Sequence, residues 1–330
     1  MIITRAPLRI SFAGGGSDLP VFYKRHGGCA LVTSINRYVY IEIHPFFNED
    51  RIHLKYSQTE NVGRVHEIKH KIFRAVLKQF HLTGVELSCT ADIPAGTGLG
   101  SSSAFSAALL KAVYAYKNRY CSRADIAAGA CELEMKRLKS PIGKQDQYAS
   151  VFGGMNFIRF NRDGTVAVEP IIAGRRLKDA LGDRLHLYYT GKTRDANAIL
   201  AEQQKSLSGD PRKERMVMAM AAIAAEMKTA LEQSDLSGFG HLLHEGWLLK
   251  KGVSKSISND EMDGIYQKGL SSGAGGGKLL GAGGGGFFLF YVDGARREKF
   301  LRGMARIKNI KRMDFALEQN GLQVVHCDPG

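Results

Sequence analysis

The stretch Pro94-Ala-Gly-Thr-Gly-Leu-Gly-Ser-Ser-Ser-Ala104 has residue types and spacing that could do chemistry. Gly96, Gly98 and Gly100 let the backbone turn through positive φ around Leu99, so that N–H groups point inward. Ser101, Ser102 and Ser103 then begin a helix. A helix N-terminus offers free N–H donors and a partial positive charge of about +0.5. Together these predict an anion cradle suited to a nucleotide triphosphate. The serine hydroxyls can donate to phosphate or ligate Mg²⁺, a hard cation that prefers oxygen. The plainer alternative is a serine-capped helix after a tight loop.

Two further segments are glycine-rich: Arg5-Ala-Pro-Leu-Arg-Ile-Ser-Phe-Ala-Gly-Gly-Gly-Ser-Asp18 and Lys278-Leu-Leu-Gly-Ala-Gly-Gly-Gly-Gly-Phe287. Neither is a Walker loop. Gly191-Lys192-Thr193 has the end of that motif, but its first glycine would fall on His186. Gly277-Lys278 fails too, because Ser272 and Leu279 stand at the required positions. Gly281, Gly283 and Gly286 do spell G-x-G-x-x-G. A dinucleotide fold needs a helix next, and an apolar strand pattern follows instead. Flanked by Leu279-Leu280 and Phe287-Phe288, the third segment reads as a tight, packed loop and not as a polar linker.

The elements around these segments follow from hydrophobic periodicity. Strands are expected at Pro7–Phe12, Ala30–Ser34, Tyr38–Ile43, Arg51–Tyr56 and Val85–Ala91. Glu67–Phe80 carries a helical stripe. Helices are expected from Ser102 to about Asn118, with Phe105, Leu109, Ala112, Val113 and Tyr116 on one face, then at Asp125–Leu138 and Gln145–Val151. Met155–Phe160 and Val166–Ile171 read as a hairpin around Asp163-Gly164. The polar, irregular stretch Ile172–Asp183 is the expected domain boundary. Beyond it, strands are expected at Leu185–Thr190, Phe287–Val292 and Leu322–Cys327. Helices are expected at Asp195–Ser206, Lys213–Gln233, Phe239–Leu249 and Arg296–Ile307. Met216, Met218, Met220 and Met227 read as core filler, and Trp247 as domain packing. The class is α+β or mixed α/β, in domains 1–182 and 183–330.

Composition narrows the function. With 44% apolar residues the chain is globular. No apolar window reaches the ~18–20 residues of a spanning helix, and the N-terminus does not read as a signal peptide, so a cytoplasmic protein is expected. Five cysteines without a CxxC argue for reduced thiols, against zinc and disulfides. The net charge of +14 would suit nucleic acid, an anionic membrane or phosphorylated small molecules. Its basic residues are scattered, which excludes a polybasic tail.

The three glycine-rich segments, in this order, resemble the GHMP kinase superfamily over nearly the whole chain. The second resembles its phosphate loop, P-x-x-x-G-L-G-S-S; the first and third resemble its N-terminal substrate motif and C-terminal glycine motif. The opening R-A-P-L-R-I-S-F-A-G-G-G-S-D further resembles the sugar-1-kinase branch acting on D-glycero-D-manno-heptose 7-phosphate, whose relatives include fucokinase-type enzymes. The resemblance implies a mixed α/β N-terminal domain with a phosphate loop and a ferredoxin-like α+β C-terminal domain. It also implies ATP and Mg²⁺, and phosphorylation of an anomeric hydroxyl to give a 1,7-bisphosphate for nucleotide-activated heptose synthesis.

Site residues carry over by motif. Asp146, at the start of a helix, resembles the catalytic aspartate that accepts or orients the sugar hydroxyl proton. Arg9 would hold Asp146 ionised and neutralise developing charge. Pro94, Gly96, Gly98, Leu99, Gly100, Ser101, Ser102 and Ser103 would bind the nucleotide. Ser102 and Glu134, seven residues before Pro141, resemble the Mg²⁺ ligands, with Glu132 a competitor. Asp18 would bind sugar hydroxyls. Galactokinases place Glu-His where this chain has Gly15-Gly16, which widens the sugar end and argues against galactose. Gly283 and Gly284 of the third motif are assigned to the substrate. A substrate phosphate would fall to Lys192, Thr193 and Arg194, with Lys24 and Arg25 as further candidates. Tyr56 and Ser57 are candidates for the adenine pocket.

The partners expected are a sugar phosphate and ATP, with no nucleic acid and no membrane; a homodimer is left open. The alternatives are a fucokinase-like enzyme on an unphosphorylated sugar, a non-catalytic nucleotide- or sugar-binding module, and an RNA-binding module. The last lacks aromatic RNA-binding signatures and a continuous basic stripe. Asp146, Glu134 and Ser102 together argue against a sensor, which needs neither base nor metal ligand.

Overall fold

The computed structural model describes residues 1–193 and 196–328. The chain begins with β1 (Ile2–Ala13), α1 (Pro20–His26), β2 (Gly28–Pro45), β3 (Ile52–Lys55), β4 (Thr59–Val62), α2 (Lys71–Phe80) and β5 (Val85–Ala91). Next come α3 (Ser101–Tyr116), α4 (Arg123–Cys131), α5 (Gln145–Phe152) and the hairpin β6 (Met155–Phe160) and β7 (Val166–Pro170). Then follow α6 (Arg175–Arg184), β8 (Leu185–Tyr189), α7 (Ala196–Leu207), α8 (Pro211–Glu232), α9 (Leu236–Val253) and α10 (Asp260–Ser272). The chain closes with β9 (Gly276–Leu279), β10 (Phe287–Tyr291), α11 (Arg297–Met304), β11 (Lys311–Met313), β12 (Leu317–Glu318) and β13 (Gln323–Cys327).

A nine-stranded sheet runs β13-β1-β2-β5-β3-β4, with β6, β7 and β12 attached through β2. The two strands expected at 30–34 and 38–43 are one strand, β2. Its pairing with β1 slips between Pro7 and Leu8, opposite Asn36 and Arg37. That pair looks like a break in the sequence because it forms a bulge. Asn36 spends its backbone N–H and its side-chain oxygen on Ala316.

Helix α3 is buried on nearly all sides, not on a single face: Ala104, Ala107, Ala108 and Leu110 are as covered as Leu109 and Val113. Its alanines let it lie between the sheet and α5. The second sheet is antiparallel, β11-β8-β10-β9, and completes the expected α+β fold. Its core gathers Trp247, Tyr266, Phe288, Phe290 and Phe300. Met220 and Met227 are buried as expected, whereas Met218, on the opposite face of α8, is 47% exposed.

Two expectations change. Residues 172–183, read as irregular, contain α6. Leu177 and Leu181, four apart, form its apolar stripe, and the other positions are mostly charged, which hides the helix from a periodicity reading. The final strands do not stay with the second sheet. β13 pairs with β1 and β12 with β2, so the chain's end returns to the first sheet. Among the described residues no helix is long and apolar enough to cross a membrane.

Candidate active site

Strand β1 brings Arg9 to the 94–100 loop, the candidate phosphate loop. Its backbone N–H donates to Leu99 O at 3.0 Å, so strand and loop are stitched together. Its guanidinium, 3% exposed, is shared three ways. Nε and Nη2 donate to the two Asp146 carboxylate oxygens at 2.7 and 2.6 Å, and Nη1 donates to Gly98 O at 2.7 Å. This fork-to-carboxylate geometry fixes Asp146 at the first turn of α5.

Gly96, Gly98 and Gly100 adopt φ of 79°, 90° and 77°. This alternation turns the loop onto the N-terminus of α3. Gly96, Gly98, Gly100 and Ser101–Ser103 line a cavity of about 620 Å³. Leu99 is fully buried beneath the loop, and Pro94 is exposed away from the cavity.

Asp18 is 3% exposed. Its Oδ1 accepts from Gly16 N at 3.0 Å and its Oδ2 from Gln145 N at 3.2 Å. Burial, and then the nearby charge of Asp146, push its carboxyl up to about 6. A Cβ at Gly143 would sit 1.8 Å from Asp18 Oδ2, so glycine is required there for the carboxylate to keep its place.

Glu134 lies in the π-helical turn Glu132–Arg137, which widens the end of α4 and shifts the register of its side chains. Its Oε2 accepts from Ser103 Oγ at 3.0 Å and Gln147 Nε2 at 3.1 Å; its Oε1 is buried without a well-formed hydrogen bond, the Ser106 hydroxyl lying beside the carboxylate. Burial pushes this carboxyl up to about 7. Glu132 instead faces outward and pairs with Arg137 at 3.3 Å. Ser102 lines the cavity with an exposed side chain. Ser103, and not Ser102, touches Glu134.

Arg9, Asp146, Asp18, Glu134, Gly15, Gly16 and the phosphate loop therefore share one cavity wall. Other expected residues stand off it. Lys192 pairs with Glu261, and Arg25 with Glu214. Lys192, Thr193, Lys24 and Arg25 are absent from the cavity wall. Arg194 lies outside the described residues. Gly283 and Gly284 pack under the wall: Gly284 N donates to Ile257 O at 2.8 Å, and a Cβ at Gly283 would meet the Ile257 backbone at 2.5 Å. Tyr56 is also off the wall, with its hydroxyl on Glu60 at 2.8 Å and its ring against His70.

Sequence reasoning missed several residues on the wall: His70, Lys71 and Ile72 at the start of α2, Asn197 and Gln203 on α7, Lys250 and Lys278. A signal existed for the first group. His70 Nδ1 accepts from Phe73 N at 3.3 Å, so His70 caps the helix, and the helical stripe should have been begun there.

Residues 67–154 match the GHMP kinases N terminal domain and residues 227–310 the GHMP kinases C terminal domain. The D-glycero-alpha-D-manno-heptose 7-phosphate kinase of Campylobacter jejuni is 31% identical over 98% of both chains. The chain belongs to the GHMP kinase family. The L-fucokinase/L-fucose-1-P guanylyltransferase of Bacteroides fragilis is 26% identical over 83% of this chain and 33% of that protein. The solved structure of a D-glycero-D-manno-heptose 1-phosphate kinase from Bacteroides thetaiotaomicron superposes with a TM-score of 0.80 at 26% identity, covering 99% and 100% of the two chains. This GHMP kinase is accordingly a phosphotransferase, and the wall assembled above is where its chemistry is to be sought.

Proposed function

We propose that this kinase transfers the γ-phosphoryl group of ATP to the anomeric hydroxyl of D-glycero-D-manno-heptose 7-phosphate. The product is the 1,7-bisphosphate, a precursor of nucleotide-activated heptose. The observation that carries the chemistry is the Arg9–Asp146 pair held against the phosphate loop. Similarity along the full length to a heptose 7-phosphate kinase supports the acceptor.

The loop amides and the N-terminus of α3 hold the nucleotide's phosphates. Asp146, held in place by the Arg9 fork, accepts the proton of the attacking hydroxyl. Arg9 offsets negative charge that gathers between donor and acceptor. Asp18 accepts hydrogen bonds from sugar hydroxyls, and Gly15-Gly16 leave room for a seven-carbon sugar. The orphaned Glu134 Oε1, with the Ser102 hydroxyl, fits Mg²⁺. Among the described residues no group of three or more His, Cys, Asp or Glu could hold a metal, so a Mg²⁺ ion here would take its remaining ligands from phosphate and water. When bound, Mg²⁺ would neutralise phosphate charge.

The test is ADP release with Mg·ATP and D-glycero-D-manno-heptose 7-phosphate, beside L-fucose and galactose. Turnover with the heptose phosphate alone, reduced by about 10²–10⁴-fold in Asp146→Asn, is expected. Turnover with a free sugar but not with the heptose phosphate would replace this acceptor with the fucokinase-like one.

A further inference from the structure

Lys278 is a buried cation that the chemistry above does not use. It lies on β9, where its neighbours Gly276, Gly277 and Leu279 are apolar, and its side chain is buried at 5% exposure. The ammonium crosses from the second sheet into the first unit and donates to Phe12 O at 2.8 Å. An ammonium has three N–H donors, and this carbonyl takes one. None of the salt bridges among the described residues involves Lys278, and the charge acting on it is the like charge of Arg9. Holding an ammonium in such a place costs stability without a counter-charge, and a Met or Leu would pack there more cheaply.

Its position says what the cost is for. Phe12 leads directly into Gly15, Gly16 and Asp18, so Lys278 lies at the acceptor end of the cavity wall. The nucleotide's phosphates are already provided for by the loop and α3. Of the other cations, Arg9 is committed to Asp146, Lys192 to Glu261 and Arg25 to Glu214, while Lys71 and Lys139, which also line the wall, are exposed to solvent and carry none of the burial cost that Lys278 does. Lys250, on α9, braces the same strand by donating to Leu279 O at 3.3 Å and to Gly281 O.

We propose that Lys278 recognises an anionic group on the acceptor, donating to it with the two N–H bonds that Phe12 leaves over. This rests on the reading above, in which that group is the 7-phosphate. Burial and the Arg9 charge push the Lys278 amine down to about 7. Above neutrality the empty site therefore holds it largely uncharged, and an arriving phosphate draws a proton in. The other ionisable groups on this wall are Arg9, Asp18, His70, Lys71, Glu134, Lys139, Asp146 and Lys250, so the uptake is assigned by variants of Lys278.

The experiment is calorimetric titration at pH 8, in two buffers of different ionisation enthalpy, with a non-hydrolysable ATP analogue filling the nucleotide site. Heptose 7-phosphate should bind wild type with net proton uptake. Lys278→Met should weaken it by about 30-fold or more and abolish the uptake, as expected for removing one partner of a buried charge pair. The phosphate-free heptose should change by less than about threefold on the same scale. Lys278→Arg should recover affinity without the uptake, because guanidinium stays protonated. Equal loss for both sugars, or none for either, overturns the proposal. Inorganic phosphate separates this site from the acceptor's identity. If wild type fails to turn over the heptose phosphate but binds phosphate with Lys278-dependent uptake, the anion site stands and the acceptor assignment falls. Phosphate binding indifferent to Lys278 sinks the anion site whatever the acceptor.

Discussion

The loops at 94–100 and 281–286 are both rich in glycine and spend it differently. In the first, three glycines of positive φ keep the chain open to the cavity and end on a helix N-terminus. In the second, the glycines bring backbone against backbone. Gly286 N donates to Lys192 O at 3.0 Å, and Phe287 N donates to Thr97 O at 3.1 Å. The second loop is thus a clasp that fastens the second sheet onto the first loop. Glycine richness alone announces close approach. Here the loop before a helix opens onto the cavity along its glycines, whereas the loop before a strand reaches the cavity at Gly281 and Ala282 and packs its later glycines against other backbone.

The largest effect should come from breaking the clasp. A Cβ at Gly286 would lie 2.2 Å from Thr97 O, and φ there is 99°. Left-handed strain of about 1–2 kcal/mol and overpacking of about 1–3 kcal/mol act together. Gly286→Ala should therefore lower the thermal midpoint by many degrees and distort the phosphate loop from behind. An unchanged melting curve would mean that the clasp carries no stability. Gly100→Ala is the counterpart. Its φ is 77°, but its Cβ would meet only the Arg9 side chain, at 3.1 Å. Here the midpoint should fall by a degree or two, while kcat drops about tenfold because the Arg9–Asp146 pair is displaced. If the two variants behave alike in both assays, the division of labour between the loops is wrong.

The same contrast explains how much was legible in the sequence. The turn at 94–100 and the start of α5 could be placed because local chemistry fixes them: glycines, serines and a helix-start aspartate act within a few residues. Strands with β-branched alternation could be read for the same reason. What could not be read was set by long-range packing. The bulge at Asn36-Arg37 answers to Ala316, and the last strand answers to β1, some 320 residues away in sequence. Gly283 and Gly284 look like ligand contacts until Ile257 is seen against them. Lys278 and Gln203 reach the wall from the second unit, and no local pattern marks either. Lys192 looked well suited to phosphate, but Glu261, 69 residues on, takes it.

A next, smaller test concerns the metal. The 94–100 loop has beside it a carboxylate with an orphaned oxygen, and among the described residues the clasp loop has none. Glu134→Gln keeps the bonds to Ser103 and Gln147 within reach of an amide but removes the charge. The Mg²⁺ concentration for half-maximal rate should rise about 10–100-fold, with kcat at saturating metal falling less. Ser102→Ala should shift it less than Glu134→Gln. A Mg²⁺ requirement indifferent to both would remove Glu134 and Ser102 from the metal site.

The smallest effect is a shift in pH dependence, and it separates the two buried carboxyls on the ligand side. Both Asp18 and Glu134 have raised values, so each favours its neutral form and each loses activity as pH falls through its own value. For the empty protein the sign on stability is the opposite: their contribution is fullest below their ordinary values and is lost as pH rises through about 6 for Asp18 and about 7 for Glu134. At low Mg²⁺ the acid limb of kcat/KM should centre near 7, because on the proposed role protonation would take Glu134 off the metal. Saturating Mg²⁺ holds Glu134 ionised and should pull that limb below the second, leaving a limb near 6 that belongs to Asp18. Asp18→Asn should lower the rate, because an amide accepts fewer sugar hydroxyls, and should flatten the limb that remains. If the limb at saturating metal persists unmoved in Asp18→Asn, the ionised form of Asp18 is not what meets the sugar, and its two backbone N–H bonds from Gly16 and Gln145 are its whole role.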